Sequence, residues 1–378
     1  MYALPAGIRP RTLADINGLM MHALEAGFED PGRPCVVLLH GFPELAYSWR
    51  KVMLPLADAG FHVVAPDQRG YGRTTGWDER YDGDLDSFRL PNLVRDVLGL
   101  VFALGYRSVA AVVGHDFGSP VAGYCALLRP DVFQSVVLMS APFPGPPAIP
   151  AEPAVIGDFA LLDPPRKHYT AYYCTREANA DMLQAESGLH AFLRAYFHVK
   201  SADWKQNDPF ELRSRDVAEL AKMPPYYVMD LEKTMPQTVA PEMPSPAHIA
   251  ANAWLPDGEL NVYAEEFERT GFQGGLQWYR CRAPKYVAEL QTFSGLPVRV
   301  PAMFVAGEND WGVYQSPGAL ATMQTKGCAR FEGTHLLPNA GHWVMQEQPA
   351  AVSQTLAAFL LAERALGASA EGARFEVP

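Results

Sequence analysis

An aspartate flanked by small residues is the strongest candidate nucleophile in the sequence. The segment Gly114-His115-Asp116-Phe117-Gly118 lies between a strand-like stretch at 109–113 and a helix-like stretch at 118–128. A sharp strand–turn–helix junction needs glycine on both sides and pushes the central side chain out above the sheet, as in a nucleophile elbow. We therefore predict that Asp116 attacks the substrate; the alternative is that it only caps the following helix.

The residue type at position 116 selects the chemistry. A serine must lose a proton before it attacks, whereas an aspartate, with an ordinary pKa of about 3.9, is already ionised at neutral pH. A carboxylate is suited to in-line attack on an sp3 carbon, which produces an alkyl ester of the enzyme. The elbow therefore favours attack on carbon over attack on an acyl carbonyl.

A second motif supplies candidate hydrogen-bond donors. His40-Gly41-Phe42-Pro43 follows the apolar run 35–39, which is typical of a buried strand. The backbone N–H near Phe42, together with that of Phe117, is predicted to form an oxyanion hole. Taken alone, the motif also fits a tight turn with a structural proline.

A candidate acid and base follow later in the chain. Asp310 comes after a strand-like stretch at 302–306, and His342 lies in a Gly-His-Trp segment near the C-terminus. The order Asp116, Asp310, His342 is the nucleophile–acid–histidine order expected after such an elbow. We predict that His342 activates water and that Asp310 orients its ring. Glu308 is the alternative acid and His335 the alternative base.

Five segments together resemble the soluble epoxide hydrolases of the α/β-hydrolase superfamily. They span most of the chain, and it is their combination that is specific. The segments are HGFPELAYSWR (40–50), APDQRGYGRT (65–74), GHDFGS (114–119), FQGGLQWYR (272–280) and GHWVMQEQP (341–349).

The resemblance implies two tyrosines in a lid that hold the epoxide oxygen. Tyr279 matches the more recognisable motif, and Tyr169 matches the other, with Tyr172 and Tyr173 close enough in sequence to be confused with it. The chemical reason is that ring opening creates an alkoxide, and a phenol with a pKa of about 10 is able to donate to that oxygen.

The same matched segments carry other expected residues and two departures. His40, Pro43 and Trp278 are expected to contact the substrate. Relatives commonly have Trp where this chain has Phe117, and Gln where it has Thr170. The backbone N–H at 117 survives the first change, but an indole N–H does not. The second change weakens the match around the first lid tyrosine.

Three other functions remain as alternatives. Haloalkane and haloacid dehalogenases share the aspartate nucleophile and the histidine, but they need a donor for halide or a group for the substrate carboxylate beside the nucleophile. Phe117 supplies neither. A non-catalytic ligand-binding protein would not need the Asp–Asp–His set, and an ester hydrolase normally has Ser at position 116.

The candidate catalytic residues lie among segments that alternate between strand-like and helix-like patterns. This alternation favours an α/β class protein with a mostly parallel sheet flanked by helices. The resemblance implies that this sheet has the α/β-hydrolase fold. The predicted strands are 11–26 (two, joined at Asn17-Gly18), 35–39, 61–65, 109–113, 135–139, 302–306 and 330–336, and the predicted helices are 46–59, 92–104, 118–128, 318–325 and 350–361.

The alternation stops in the middle of the chain. Residues 142–153 contain six prolines, and 154–288 carry helical, charge-spotted stretches such as 177–194 and 259–269. We therefore predict a core domain of residues 1–141 and 289–378, interrupted by a mainly helical cap, or lid, at 142–288. Its aromatic and apolar residues suggest the rim of a hydrophobic pocket or the core of the cap itself.

The charge and the cysteine content of the chain exclude several classes of binding partner. The net charge of −11 and the pI of about 5.4 argue against nucleic acid and anionic membranes as partners. The five widely spaced cysteines include no CxxC pair, so we expect neither a zinc site nor a disulfide framework. We also expect no other metal and no cofactor. The absence of a signal-like or membrane-spanning stretch favours a cytoplasmic location. The expected ligand is a small hydrophobic epoxide, and monomer and homodimer are both open.

Overall fold

The computed structural model describes residues 3–151 and 153–374, with side chains described as far as 366. Its first part contains β1 (Ile8–Ile16), β2 (Leu19–Ala26), β3 (Cys35–Leu39), α1 (Arg50–Asp58), β4 (His62–Pro66), α2 (Leu90–Ala103), β5 (Ala111–His115), α3 (Gly118–Leu128) and β6 (Val136–Met139).

The middle of the chain is mainly helical. Its elements are β7 (Arg166–His168), α4 (Tyr169–Tyr173), α5 (Ala178–Leu183), α6 (Leu189–Lys200), α7 (Val217–Leu220), β8 (Val228–Asp230), α8 (Met235–Val239), α9 (Pro246–Ala251), α10 (Asp257–Thr270), α11 (Gln273–Arg280) and α12 (Pro284–Leu290). The last part contains β9 (Val298–Gly307), α13 (Ala319–Thr322), β10 (Cys328–Leu337), α14 (Val344–Glu347) and α15 (Pro349–Arg374).

The central sheet has eight strands in the order β1-β2-β4-β3-β5-β6-β9-β10. The six strands from β4 to β10 in that order are parallel, and β2 is antiparallel to both of its neighbours, β1 and β4. The predicted α/β-hydrolase fold with a mostly parallel sheet is therefore confirmed. The carboxyl ends of β3, β5, β6 and β9 meet at one edge, which is where such sheets place their ligands.

Both faces of the sheet are buried, as the continuous apolar strands predict. In β3, Val37 and Leu39 pack into one hydrophobic cluster, whereas Val36 and Leu38 pack into another on the opposite face. Alternate residues of a strand point to opposite faces, so a strand that is apolar at every position must be covered on both. Helix α15 contacts α1 on one of these faces.

Some predicted boundaries differ from the structure for local reasons. The predicted helix at 46–59 begins as a 3₁₀ turn, Ala46–Trp49, before α1, and the predicted helix at 318–325 is only α13 followed by a π turn, Met323–Gly327. The predicted helical stretch 177–194 is divided between α5 and α6. Gly188 adopts a φ of 84°, outside the helical region, and precedes the first turn of α6.

The segment between β6 and β9 adds one feature that the sequence did not predict. Strands β7 and β8 form a two-stranded antiparallel sheet among the helices. Strands of three residues are too short for an alternating pattern to be visible. The proposed division into a core at 1–141 and 289–378 and a cap at 142–288 stays a prediction. Among the helices of the described residues, none has the length and apolar character needed to cross a bilayer.

A pair of glycines lets the middle segment approach the sheet closely. A Cβ on Gly274, in α11, would lie 2.1 Å from the carbonyl oxygen of Gly70, and a Cβ on Gly70 would lie 2.6 Å from the carbonyl carbon of Gly274. The two backbones therefore touch, and α11 is held directly over the loop that follows β4.

We predict that Gly274→Ala destabilises the protein by about 2 kcal/mol, because the added methyl group meets backbone atoms that are unable to move aside. Chemical denaturation measures the change. The control is Gly258→Ala, since that exposed glycine in α10 has open space around a Cβ. The control should retain the wild-type stability or gain slightly. Equal stability of both variants would contradict the close approach.

Candidate active site

The candidate catalytic residues come together at the carboxyl ends of adjacent strands. Asp116 follows β5, Ser140 follows β6, and Asp310 lies shortly after β9. The loop after β3 carries Phe42, and the loop after β10 carries His342. Because β3, β5, β6 and β9 are neighbours in the sheet, segments far apart in sequence meet at this edge.

The turn that presents Asp116 is strained and tightly packed. Asp116 has a φ of 51°, a left-handed conformation that is unusual for a residue with a side chain. A Cβ on Gly114 would lie 2.0 Å from the Gly118 carbonyl oxygen, and one on Gly118 would lie 2.3 Å from the Leu39 carbonyl oxygen. Gly41 packs directly on Asp116, since a Cβ there would lie 2.4 Å from the Asp116 Cβ. The turn is the sharp strand–turn–helix junction that the sequence predicts, and the role of Asp116 as the nucleophile stays a prediction.

The Asp116 carboxylate has a neighbour for each of its oxygens. The backbone N–H of Phe42 donates to Oδ1 at 3.0 Å, and Oδ2 lies 3.5 Å from Nε2 of His342. Phe117 follows Asp116 at the amino end of α3, where backbone N–H groups have no partner within the helix. Of the two backbone groups predicted for the oxyanion hole, the Phe42 N–H thus contacts the carboxyl group of Asp116; the role of the Phe117 N–H stays a prediction.

His342 is oriented by two residues. Its Nδ1 lies 3.1 Å from Oδ1 of Asp310 and 2.8 Å from the hydroxyl of Ser140, which also donates to Oδ2 of Asp310. The backbone N–H of Gly312 donates to Asp310 at 2.7 Å. The other ring nitrogen of His342, Nε2, has no hydrogen-bond partner among the described residues and faces Asp116.

The protonation of this pair follows from burial and from neighbouring charge. Burial alone would raise the pKa of Asp310, but His342, Ser140 and the Gly312 N–H hold that pKa below its usual value. Burial lowers the pKa of His342, and the positive charge of Lys200 lowers it further, against the opposing carboxylates of Asp310 and Asp116. His342 is therefore a neutral base beside an ionised acid.

A second buried pair lies behind the first. Nδ1 of His115 lies 2.6 Å from Oε2 of Glu44, and its Nε2 donates to the backbone carbonyl of His342 at 2.7 Å. Burial would raise the pKa of Glu44, but His115 lowers it; burial would lower the pKa of His115, but Glu44 raises it. The pair is therefore ionic. It ties the loops after β3, β5 and β10 together.

A cavity of about 340 Å³ opens onto Asp116. Phe117, Tyr169, Trp278 and Tyr279 are part of its wall. The remaining wall is largely apolar, with contributions from Leu90, Leu93, Tyr124, Phe143, Val287 and Leu290. A concave apolar site with a few polar groups directed at one point is typical of a site for a small hydrophobic molecule.

Two tyrosines line the same cavity as Asp116. The rings of Tyr169 and Tyr279 lie 6.0 Å apart, and Tyr279 packs edge-on against Phe117 at 4.7 Å. Burial raises the pKa of both phenols above 10, so they remain protonated donors. Tyr172 donates to Asp181 and Tyr173 donates to Tyr196, and neither lines the cavity. The structure thus brings Tyr169, rather than its two neighbours, to the site.

Of the three residues expected to contact the substrate, only Trp278 lines the cavity. Trp278 lines the cavity, but its indole N–H donates to the Arg69 carbonyl at 2.9 Å. His40 is buried, with Nδ1 2.9 Å from the Gly41 carbonyl oxygen and Nε2 accepting from the Gln68 N–H. Among the described residues that line the cavity, neither His40 nor Pro43 is present.

The alternative acid and base, Glu308 and His335, lie away from the site. One residue of the site, Ser140, was not predicted from the sequence. Glu308 and His335 are both exposed and make no contact with His342. The only signal of Ser140 is its position at the end of β6, next to the strand that leads to Asp310. Among the described residues, no cluster of three or more His, Cys, Asp or Glu side chains is placed to hold a metal ion.

Comparisons with known proteins identify the family of the chain. The profile of the alpha/beta hydrolase fold family matches residues 34–349. The chain is similar to epoxide hydrolase B of Mycobacterium tuberculosis, with 32% identity over 367 residues, which cover 92% of this chain and 97% of that protein. For epoxide hydrolase A of the same organism, the identity is 33% over 364 residues, and the coverage is 94% and 98%.

Solved structures are similar over the same extent. An epoxide hydrolase from an endophytic Streptomyces superimposes with a TM-score of 0.76 at 29% identity, covering 95% of this chain and 97% of that chain. Potato (Solanum tuberosum) epoxide hydrolase I gives a TM-score of 0.72 at 29% identity, covering 94% and 99%.

We predict that Glu44→Gln destabilises the protein by about 3 kcal/mol, because it removes one partner of a buried ion pair. The ion pair stabilises the folded protein fully only when both groups are charged. For Glu44 this holds above its unfolded pKa of 4.5, and for His115 it holds below its unfolded pKa of 6.5. The loss of stability caused by Glu44→Gln should therefore be largest between these pH values. It should shrink as the pH falls below 4.5 and as it rises through the raised pKa of His115.

The measurement is denaturant unfolding across pH. Asp131→Asn is the control, since it breaks the exposed pair with Arg129 and should have little effect at any pH. A loss for Glu44→Gln that is small and independent of pH would contradict the ionic assignment.

Proposed function

Because this chain belongs to the epoxide hydrolase family of the α/β-hydrolase fold, we propose that it hydrolyses an epoxide to a vicinal diol through an alkyl ester on Asp116. One observation carries the proposal. The same cavity is lined by Asp116, which follows β5, and by Tyr169 of α4 and Tyr279 of α11, whose phenols burial keeps protonated. A nucleophile and two hydrogen-bond donors are what ring opening needs on opposite sides of the substrate.

The first step is attack by an Asp116 oxygen on an epoxide carbon. A C–O bond forms at that carbon while the ring C–O bond breaks, and the departing oxygen takes a proton from the phenols. Burial disfavours an anionic phenolate, so the tyrosines hold the proton until the ring oxygen becomes basic. The step leaves a hydroxyalkyl ester on Asp116.

The second step is hydrolysis of that ester. Neutral His342 takes a proton from water through Nε2, and the water oxygen adds to the Asp116 carboxyl carbon. The N–H groups of Phe42 and Phe117 stabilise the oxyanion that forms; the contact between the Phe42 N–H and Asp116 and the position of Phe117 at the start of α3 support this role. The intermediate then expels the alkoxide, which receives the proton held by His342. The Asp116 carboxyl group ionises and its proton restores the phenols, so the sum is epoxide plus water to diol.

The positions of the indole groups oppose dehalogenation. A leaving halide needs donors beside the nucleophile, but position 117 is phenylalanine and the Trp278 N–H is bonded to a backbone carbonyl. A screen of aryl and aliphatic epoxides beside haloalkanes separates the two functions. Diol formation without halide release supports the proposal, and the reverse result removes it.

We predict that His342→Gln forms the ester but hydrolyses it slowly, because the base is lost while Asp116 and the tyrosines remain. Intact-mass spectrometry after mixing with an epoxide should show an adduct of the substrate's mass, and peptide mapping should place it on Asp116. Asp116→Asn under the same conditions is the control and should show none. An adduct on another residue would exclude this mechanism.

We predict that Tyr279→Phe and Tyr169→Phe each slow ester formation by about 10²-fold or more, as expected for losing one donor to developing negative charge. The double variant should be nearly inactive, without additivity, because both phenols serve one oxygen. Rapid-mixing kinetics measures ester formation. Tyr172→Phe is the matched control and should react at close to the wild-type rate. A folded double variant with wild-type ester formation would remove the tyrosines from the mechanism.

A further inference from the structure

A lysine is buried beside the site without a direct carboxylate partner. Lys200, the last residue of α6, is only 6% exposed. Its Nζ lies 5.5 Å from the ring centres of Tyr196 and Tyr227 and 5.4 Å from that of Trp343. None of the ion pairs within the described residues includes it. Three aromatic faces within about 6 Å form a cage that stabilises an ammonium by cation–π attraction.

Lys200 is also attached to the loop that carries the candidate base. The backbone N–H of His342 donates to the Lys200 carbonyl oxygen at 2.8 Å, which satisfies a carbonyl at the end of α6. The His342 ring packs edge-on against Trp343, a wall of the cage, at 4.6 Å. The ammonium is thus held at a fixed position relative to the His342 ring.

The charges around His342 explain why a cation is needed there. Asp310 and Asp116 face its two ring nitrogens, and both carboxylates favour the imidazolium. The His115–Glu44 pair lies against it with nearly balanced charge, and Ser140 supplies only a hydroxyl. Glu347 accepts from the backbone N–H groups of the same loop, at Gly341 and Trp343. An imidazolium is unable to accept a proton from water.

We propose that Lys200 is a positioning residue of the hydrolytic step, whose caged ammonium keeps His342 in the neutral form that activates water. The inference rests on the proposed function, because that function makes His342 the base. Lys200 lies among the three rings and in none of the ion pairs of the described residues, so its positive charge acts on His342 through space.

The electrostatics of the site support this role in both directions. Burial lowers the pKa of Lys200, while Asp116, Asp310 and Glu44 favour its ammonium. After burial, Lys200 is the largest influence that lowers the pKa of His342. The carboxylates that would otherwise hold a proton on His342 are therefore opposed by one cation of fixed geometry.

The decisive experiment compares Lys200→Met with Lys200→Arg and the wild type. Methionine keeps an unbranched side chain in the cage and removes the charge, whereas arginine keeps the charge. Histidine-labelled protein is titrated by NMR, with the His342 signal assigned by its absence in His342→Gln. The His342 midpoint should rise by about one pH unit in Lys200→Met, the scale expected for one nearby charge. It should stay close to the wild-type value in Lys200→Arg.

Kinetics gives a second readout. Loss of the Lys200 cation raises the pKa of His342. In the pH profile of the rate of ester hydrolysis, the acid limb should therefore move to higher pH by the same amount as the His342 midpoint, and the plateau rate should be retained. A role in packing alone would lower the rate at every pH without moving the limb. Lys222→Met is the control, since it removes the same charge from an exposed lysine and should leave the limb in place.

The titration needs no turnover, so it separates this inference from the proposed function. If the wild type opens no epoxide, the function fails, whatever the His342 midpoint does. An unchanged midpoint in Lys200→Met overturns the role of Lys200, whatever the substrate.

If Lys200→Met does not fold, lysine-labelled wild type decides the question. Lys200 must remain protonated throughout the titration of His342. Loss of its proton at lower pH than His342 overturns the inference.

Discussion

Three carboxylates, Asp116, Asp310 and Glu44, are buried together at the carboxyl ends of neighbouring strands. Burying one charge is costly unless it is paired or hydrogen-bonded, and burying three in one place is possible only if the surroundings compensate them. The Phe42 N–H donates a hydrogen bond to Asp116. Asp310 accepts hydrogen bonds from Ser140 and from the Gly312 N–H, and Glu44 pairs with His115. The arrangement of donors and cations around the site therefore follows largely from the need to compensate these three buried charges.

The compensation requires close backbone contacts, and these explain the glycines. Gly41 lies directly against Asp116, and Gly114 and Gly118 allow β5, α3 and β3 to meet at the elbow. A similar close contact occurs between Gly70 and Gly274, and it holds α11, which carries Tyr279, against the loop that follows β4. Polar groups of fixed position then act on the substrate without reorganising during the reaction.

Local sequence predicted much of this arrangement but not all of it. The elbow and the strands β3 and β6 were predictable because turn chemistry and apolar runs are local. Ser140 and Lys200 were not, because their roles depend on strand order and on how α6 meets the loop after β10. His40 was expected at the substrate wall, but its ring turns inward to the backbone, since a motif does not specify which side a side chain takes.

The most direct measurement of the central claim is a single turnover in H₂¹⁸O with enzyme in excess. If Asp116 is the nucleophile, the new oxygen of the diol comes from its carboxylate, and the water oxygen is left on Asp116. The account predicts an unlabelled diol and a mass increase of about 2 Da on the peptide that contains Asp116. A diol labelled in the first turnover, with an unlabelled Asp116, would show direct attack by water and contradict the account.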